Sequence, residues 1–389
     1  MLRDQWWYSL GLIAASGVSG AIGWSGSALT LPASCVFPTL WAFAPNRLIA
    51  ALVTLAYFLS ASRGLPVGAA NFFGASMLMG IALWIAASLV FVSVYFVLWS
   101  SRSGWSRAVR YVVASALMSV PPLGILGWAN PITAAGILFP GWGWWGLAAM
   151  VIGLMTMTTR LWPVFALFAM SVTTLASSAS VADFPEGWRA LDTRFSTTAA
   201  SQTTGYEQQL ATIRLVKAAV RSGANTIILP ESALGIWTAT TEALWARELK
   251  GSDVVVNGGA IVIDEDGYDN VMVQVSSDGG KPIYRQRMPV PVSMWHPWAA
   301  GGAKARFLEN PITVLRDHQI APLICYELLL VWPVLQSMLF DPQVLVATGN
   351  GWWTEGTNIV AIQTVSANAW AQLFNLPVFI AVNQPRGEL

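Results

Sequence analysis

One cysteine and two glutamates stand at the ends of apolar segments, where reactive side chains are commonly presented. Cys325 ends the apolar run 320–324, and Glu327 follows two residues later. Far upstream, Glu231 follows a second, β-branched run at residues 226–229. A thiol attacks acyl carbon atoms as its thiolate, and a carboxylate that takes the thiol proton activates it. The pattern therefore predicts two strands that carry a cysteine nucleophile, Cys325, and a glutamate base, Glu231.

Each of these residues also has an ordinary structural explanation. A lone cysteine such as Cys325 is most often a small buried apolar residue. Glu231 at a strand end is also compatible with a solvated turn. Glu327 either orients the cysteine loop by hydrogen bonding or lies on the surface as a carboxylate without a role in the site. The residue types alone leave both explanations open.

Two short segments carry a resemblance to a known family. Pro230-Glu231-Ser232-Ala233 and Cys325-Tyr326-Glu327 resemble the nitrilase superfamily, the carbon-nitrogen hydrolases, whose active site combines a glutamate base, a lysine and a cysteine nucleophile. They are most similar to its membrane-bound branch, the apolipoprotein N-acyltransferases. The layout of the chain resembles more closely still the TraB family of plasmid conjugal transfer proteins. The resemblance implies an α-β-β-α sandwich and acyl-transfer chemistry without a cofactor.

The sequence departs from the family pattern at the position of the lysine. The family lysine lies in a Tyr-x-Lys-x-x-x-x-Pro segment, to which residues 284–291 correspond in spacing, and Gln286 stands at the lysine position. The family's following acid is replaced by Met294. Gln286 retains a neutral hydrogen-bond donor. Arg285 and Arg287 are candidate cationic substitutes if the strand presents either of them inward.

Several further residues are candidates for substrate contact through the same resemblance. Trp295 and His296 stand where the family has a lid over its active site, and they are more simply explained as lid packing or interfacial anchors. Tyr326 directly follows the cysteine. Asn350 and Trp352 lie in a loop after a predicted strand, and a similar Asn-containing loop follows the cysteine strand in the acyltransferases.

The chain divides into an apolar part and a polar part. It is 55% hydrophobic and only 11% charged, whereas soluble domains average about a quarter charged. Up to Ala182 the charged side chains are few: Arg3, Asp4, Arg47, Arg63, Arg102, Arg107, Arg110 and Arg160. We therefore predict a transmembrane helical domain of six or seven spans at residues 1–182 and a polar catalytic domain at residues 183–389.

The arginines also predict an orientation. Positive residues in short loops tend to stay in the cytoplasm, and residues 102–110 and Arg160 occupy two such loops. Placing both loops inside puts the polar domain outside the cytoplasm. Seven spans, with a short hairpin at residues 67–99, also keep Arg3 and Arg63 inside. The prediction is a multi-pass protein of the bacterial inner membrane with its C-terminal domain in the periplasm.

The polar part has the alternation typical of an α/β sandwich. Apolar periodicity predicts helices, and β-branched runs between Gly, Asp and Asn turn signals predict strands. Helices are expected at residues 206–221, 240–249 and 358–374. Strands are expected at residues 188–195, 226–229, 253–257, 260–263, 270–275, 282–287, 344–347 and 378–382.

Composition and spacing also argue against several classes of function. A net charge of +1 and the lack of a basic cluster in the second half argue against nucleic acid as a partner. His296 and His318 have no metal-ligand spacing with a cysteine or carboxylate, so no metal is expected. Two cysteines form no disulfide framework.

These observations lead to one main hypothesis and two alternatives. The main one is cysteine-dependent acyl transfer at the periplasmic membrane face, through a thioester that an amine intercepts. Resemblance to the conjugal transfer family implies a role in conjugation, with membrane lipid and a membrane-held protein such as pilin as partners, through acylation or amide-bond closure. The alternatives are a phospholipid-dependent lipoprotein N-acyltransferase and a non-catalytic assembly factor.

Overall fold

The chain forms two compact units. The computed structural model describes residues 2–102, 104–175, 183–195, 202–265, 267–299 and 301–384. The first unit comprises residues 1–181, 329–332 and 356–375, and the second comprises residues 182–328, 333–355 and 376–389. The predicted domain boundary at Ala182 lies outside the described residues.

The first unit is helical. Its core contains a cluster of aromatic rings, in which Phe37 stacks on Tyr57 at 4.4 Å and meets Tyr95 edge-on at 5.2 Å. Rings in these geometries attract one another in addition to burying apolar area. The helices are α1 (Leu2–Gly23), α2 (Phe37–Ala42), α3 (Arg47–Ala61), α4 (Leu65–Phe73), α5 (Met77–Leu98), α6 (Trp105–Leu117), α7 (Ala135–Leu138), α8 (Gly143–Met157) and α9 (Trp162–Leu175).

One helix in the described part of the chain, α5, is long and apolar enough to cross a membrane. Helices α3 and α4 pass the same criterion together, with a bend of 56° between them. Residues 67–99 contain two helices of unequal length, α4 with 9 residues and α5 with 22. About 20 residues are needed for one span, and of these two helices α5 alone reaches that length. The predicted short hairpin of two spans stays a prediction. The count of six or seven spans stays a prediction.

The second unit contains two β-sheets. The first sheet has the order β1 (Trp188–Ala190), β2 (Thr226–Ile228), β3 (Val255–Asp264), β4 (Gly267–Ser276) and β5 (Gly279–Arg285). The second has the order β6 (Thr313–Leu315), β7 (His318–Ile324), β8 (Val344–Asn350) and β9 (Val378–Asn383). Strands β1, β2 and β3 run parallel, as do β7, β8 and β9. Further helices are α10 (Gln202–Arg221), α11 (Ala239–Glu248), α12 (Val331–Met338) and α13 (Ile359–Phe374).

Two apolar cores hold these layers together. Ile228, Met272 and Tyr284 of the first sheet pack against Ile324 and Val346 of the second. On the other face of the first sheet, side chains of α10 and α11 complete a separate core. The sheets are therefore stacked, with helices covering the first one. The predicted nitrilase-like α/β fold of the polar part is confirmed.

Three predicted strands differ from those observed. The segments 253–257 and 260–263 form the single strand β3, because Gly258 and Gly259 continue the ladder opposite β4 rather than turning. Strand β1 covers only Trp188–Ala190, rather than residues 188–195. Beyond β1, Thr193 forms an isolated bridge with Asn383 of β9, a strand of the second sheet.

Candidate active site

Cys325 lies immediately after β7, as the first residue of a 3-10 helix, Cys325–Leu329. It is 7% exposed, and its φ of +52° lies in the left-handed region. A side chain with a Cβ adopts this conformation rarely and at a cost of about 1–3 kcal/mol, and such residues cluster at functional sites. The turn ends the strand abruptly and places the thiol at its carboxyl end.

Glu231 lies at the corresponding end of β2 and is 8% exposed. Asn270 of β4 donates a hydrogen bond from Nδ2 to Glu231 Oε1 at 2.6 Å. The second oxygen, Oε2, is buried and has no partner of good hydrogen-bond geometry among the described residues. One oxygen is therefore held in place, and the other is available for proton transfer.

Burial raises the pKa of Glu231 to about 7. Hydrogen bonding from the Cys325 thiol opposes this rise, and the charge of Glu327 adds to it. A carboxyl group with this pKa releases and accepts protons near neutral pH, as a general base must. The thiol and the carboxyl interact, so the structure brings together the predicted nucleophile and base.

Gln286 lies beside the cysteine strand and is 3% exposed. Its Nε2 donates to the main-chain oxygens of Ile324, at 3.2 Å, and of Met288, at 3.4 Å. Its Oε1 is buried without a hydrogen-bond partner among the described residues. Because both N–H groups are occupied by main-chain oxygens, the free polar group of this side chain is an acceptor rather than the donor expected from the sequence.

Glu327 is fully buried, which excludes the surface position. Its Oε1 accepts the main-chain N–H of Arg287 at 2.7 Å and of Met288 at 3.1 Å, and its Oε2 accepts that of Ile324 at 2.8 Å. The Tyr284 hydroxyl donates to the same carboxylate. Burial raises the pKa of Glu327, and the Arg287 charge opposes that rise. Glu327 therefore connects the cysteine turn to the segment that follows β5.

Both candidate cations are already paired. Arg287 is fully buried, and its three guanidinium nitrogens donate to the Tyr284 hydroxyl, to Gln336 Oε1, and to Pro333 O and Ser337 Oγ. Arg285 forms an ion pair with Asp269 at 2.5 Å. These contacts give each guanidinium a structural task, and the role of cationic substitute stays a prediction.

The remaining candidates lie on loops at or near this end of the sheets. Asn350 ends β8, and its Oδ1 accepts a hydrogen bond from Asn383 Nδ2 at 2.9 Å. Tyr326 and Trp352 are half-buried. Burial raises the pKa of Tyr326. This hydrogen bond links the ends of the neighbouring strands β8 and β9.

Trp295 and His296 are half-buried in the loop after β5. The Trp295 ring packs edge-on against Phe307 at 5.6 Å. Both residues line a cavity of about 400 Å³ together with Lys304 and Arg306. These contacts agree with lid packing. The described part of the chain contains no group of three or more His, Cys, Asp or Glu side chains able to hold a metal ion.

Sequence reasoning did not identify two residues that position the site, Asn270 and Tyr284. Asn270 donates a hydrogen bond to Glu231, and Tyr284 donates one to Glu327. Both are polar residues at buried positions, Asn270 in β4 and Tyr284 in β5. Such positions need hydrogen-bond partners, and this was the signal that could have identified them.

Comparisons with known proteins identify the family. The carbon-nitrogen hydrolase family model matches residues 248–372. The conjugal transfer protein TraB of Agrobacterium fabrum is 51% identical over 404 residues, covering 98% of this chain and 94% of that protein. The probable conjugal transfer protein TraB of Sinorhizobium fredii is 50% identical over 379 residues, covering 96% of this chain and 97% of that protein.

Among solved structures, a carbon-nitrogen hydrolase from Helicobacter pylori aligns with a TM-score of 0.37 and 15% identity, over 50% of this chain and 72% of that one. The likeness to the two curated relatives extends over nearly their full length. The residues that the carbon-nitrogen hydrolase family model matches include Gln286 and Cys325. The chain belongs to the TraB family of conjugal transfer proteins and, through its carbon-nitrogen hydrolase domain, to the nitrilase superfamily.

Proposed function

We propose that this protein is a membrane-embedded acyltransferase in which Cys325 carries the acyl group as a thioester. The observation that supports this best is the buried pair of Cys325 and Glu231. The thiol is presented by a left-handed turn, and the carboxyl group beside it has a pKa of about 7. A nucleophile and a base held at adjacent strand ends are the minimum that acyl transfer requires.

The reaction proceeds in two steps. First, the Cys325 S–H proton passes to the Glu231 carboxylate, and the thiolate attacks the acyl carbonyl carbon. A C–S bond forms, the bond to the leaving group breaks, and the leaving group takes the proton from Glu231. Second, an amine attacks the thioester carbon. A C–N bond forms, the C–S bond breaks, and the amine proton passes through Glu231 to the departing sulfur.

Membrane insertion is supported by the apolar surface of the first unit. Helix α5 is apolar over its whole length. Exposed apolar side chains on this and other helices include Leu78, Trp145, Ile152, Leu167 and Met170. Surfaces of this kind are unstable in water and suit lipid. With the arginine pattern, this supports a bacterial inner-membrane protein whose second unit lies in the periplasm.

The family suggests the biological setting. The curated relatives are named conjugal transfer proteins, so we infer that the acyl acceptor belongs to the conjugation apparatus. A membrane-held pilin is the acceptor that fits this setting. A thioester on Cys325 serves either acylation of its amino terminus or closure of an amide bond within it.

The test is intact mass spectrometry of the full chain purified with its membrane lipids, beside its Cys325→Ala variant. We expect a hydroxylamine-sensitive mass increase that the variant lacks, because only a thioester at Cys325 is removed in this way. Cys35→Ser, which removes the other thiol, should keep the adduct. The adduct mass distinguishes a fatty acyl group, as lipoprotein N-acylation requires, from a peptide.

A second candidate function, a non-catalytic assembly factor, is favoured by the absence of a lysine at residue 286 and by the pairing of Arg287. It predicts that Cys325→Ala supports plasmid transfer at the wild-type frequency. Loss of transfer by an inserted, folded Cys325→Ala protein contradicts it. Normal transfer by that variant, together with no adduct in the wild type, contradicts the acyltransferase.

A further inference from the structure

Two buried oxygen atoms in the site have no partner of good hydrogen-bond geometry among the described residues. They are Oε2 of Glu231 and Oε1 of Gln286, on side chains that are 8% and 3% exposed. Leaving a buried acceptor unsatisfied costs about 1–3 kcal/mol, and more when it is charged. Two such acceptors in one site indicate that a ligand supplies the donors.

A series of contacts links the Glu231 and Gln286 side chains to Cys325. The main-chain N–H of Gln286 donates to Asn270 O at 2.8 Å, and Asn270 Nδ2 donates to Glu231 Oε1. On the other side, Gln286 Nε2 donates to the carbonyl of Ile324, the residue before Cys325. The thiol hydrogen-bonds to the Glu231 carboxyl. The contacts form a closed ring that includes both side chains and Cys325.

The orientation of the Gln286 amide follows from its neighbours. Two main-chain oxygens, of Met288 and Ile324, face Nε2. Turning the amide over would set Oε1 against those oxygens, and acceptors repel one another. The oxygen therefore remains as the free group.

A carboxylate oxygen and an amide oxygen together fit a primary ammonium group. An ammonium carries three N–H donors and a positive charge, which satisfies both acceptors and matches the charge of ionised Glu231. The nearby arginines do not serve this purpose, because Arg287 and Arg285 donate to other partners.

We propose that Glu231 Oε2 and Gln286 Oε1 form a binding site for the primary ammonium group of the acyl acceptor, and that its binding activates Cys325. This inference rests on the proposed function, since it names the acceptor class of the same site. A cation beside a thiol stabilises the thiolate. The bound ammonium therefore increases the reactivity of Cys325 toward the acyl donor. After the thioester has formed, the ammonium becomes a free amine by transferring one proton to Glu231, which releases it to solvent before relaying the second amine proton to the departing sulfur.

The experiment measures labelling of Cys325 in the full chain in detergent at pH 7, using the small reagent methyl methanethiosulfonate and peptide-resolved mass spectrometry. We expect ethylammonium chloride to increase the rate of Cys325 labelling up to a saturating value. A tenfold rise in the thiolate fraction should increase that rate only about threefold, because the lower thiol pKa also makes the thiolate about threefold less nucleophilic. Tetraethylammonium chloride, which has charge but no N–H, should not act. Cys35 serves as an internal control whose labelling should not respond.

Two variants separate the site from a general effect of amines. Gln286→Lys supplies an ammonium from within the chain, so basal labelling should rise and the response to ethylammonium should disappear. Gln286→Met lacks the acceptor oxygen, so its response should fall by at least threefold. Circular dichroism verifies the fold of both.

The proposal is overturned if ethylammonium leaves the wild-type rate unchanged, if tetraethylammonium acts equally, or if Cys325 is unreactive with and without the amine. Labelling requires no acyl donor, so this result is independent of acyl transfer. An amine response without any thioester adduct would overturn the proposed function and leave the ammonium site standing.

Discussion

Two buried glutamates lie close to Cys325, and they differ in how their oxygens are hydrogen-bonded. Glu327 accepts three main-chain N–H groups and the Tyr284 hydroxyl, so its oxygens are occupied. Glu231 has one occupied oxygen and one free oxygen, next to the thiol. A carboxylate must have an accessible lone pair to take a proton. On this geometry we propose Glu231 as the base and Glu327 as a positioning residue.

The pH dependence of thiol labelling tests this assignment. With a Glu231 pKa of about 7, the carboxylate form that accepts the thiol proton is present above pH 7 and is lost as the pH falls through 7. We expect the rate of Cys325 labelling to rise about tenfold per pH unit below 7 and to flatten above it. Glu231→Gln should move the inflection away from pH 7.

Asn270→Ala gives the matched comparison, because it keeps the carboxyl group but removes the donor that holds Oε1. It should retain the inflection near pH 7 at a lower overall rate. An unchanged profile in Glu231→Gln would exclude Glu231 as the base.

At the scale of elements, strand β3 determines where the Glu231 loop lies. Gly259 N donates to Pro230 O at 3.0 Å, and Leu234 N donates to Gly259 O at 2.9 Å. A Cβ at Gly259 would meet the main chain at Glu231 Cα and, at 2.7 Å, Ser232 N. Main-chain atoms cannot rotate away as a side chain can. The close approach of β3 to this loop therefore requires glycine.

Gly259→Ala should therefore displace the base. We expect a loss of stability of about 1–3 kcal/mol from overpacking, and a Cys325 labelling profile that resembles that of Glu231→Gln. Thermal unfolding and labelling on the same preparation measure both. Gly258→Ala, on the opposite face, meets Leu234 Cγ at 2.9 Å and should destabilise without changing the profile. Equal labelling profiles in the two variants would contradict the role of Gly259.

At the scale of the whole molecule, the chain returns to its first unit late in the sequence. Helix α13 follows β8 but belongs to that unit. Asn358 Nδ2 donates to Trp24 O at 2.8 Å, and Gly141 N donates to Gln372 O at 2.8 Å. Trp370 of α13 is buried. Residues 356–375 are therefore part of the helical core of the first unit.

Substituting Gly136 tests this packing. A Cβ at Gly136 would collide with the main chain of Ala369 and lie 2.8 Å from the Ala369 Cα. Helices α7 and α13 would therefore have to separate. Gly136→Ala should lower the free energy of unfolding by about 1–3 kcal/mol and increase cleavage of residues 356–375 in limited proteolysis. Gly11→Ala in α1, where the space is open, should be neutral or slightly stabilising. Unaltered proteolysis in Gly136→Ala would contradict the close packing of α13.

The local sequence pattern was sufficient to predict most strands and helices of the second unit, and the two strand ends that carry Cys325 and Glu231. Apolar runs bounded by turn residues depend on neighbours in the chain, so strands such as β7 could be predicted. Pattern failed at β3, since two glycines suggest a turn unless the ladder to β4 is known. It left the number of spans at residues 67–99 open, because a long apolar stretch is compatible with one span or two.

The sequence by itself determined the family, the nucleophile and base candidates, and the replacement of the family lysine by Gln286, because these are matters of residue type and spacing. Only the tertiary structure decided which atoms are free. Hydrogen bonds between residues 38 to 50 positions apart orient the Gln286 amide and pair the Arg287 guanidinium. Another such bond joins Asn270 to Glu231. The packing of α13 in the first unit was also visible only in the tertiary structure. An apolar helical face is compatible with many packing partners, so the sequence does not specify which one it contacts.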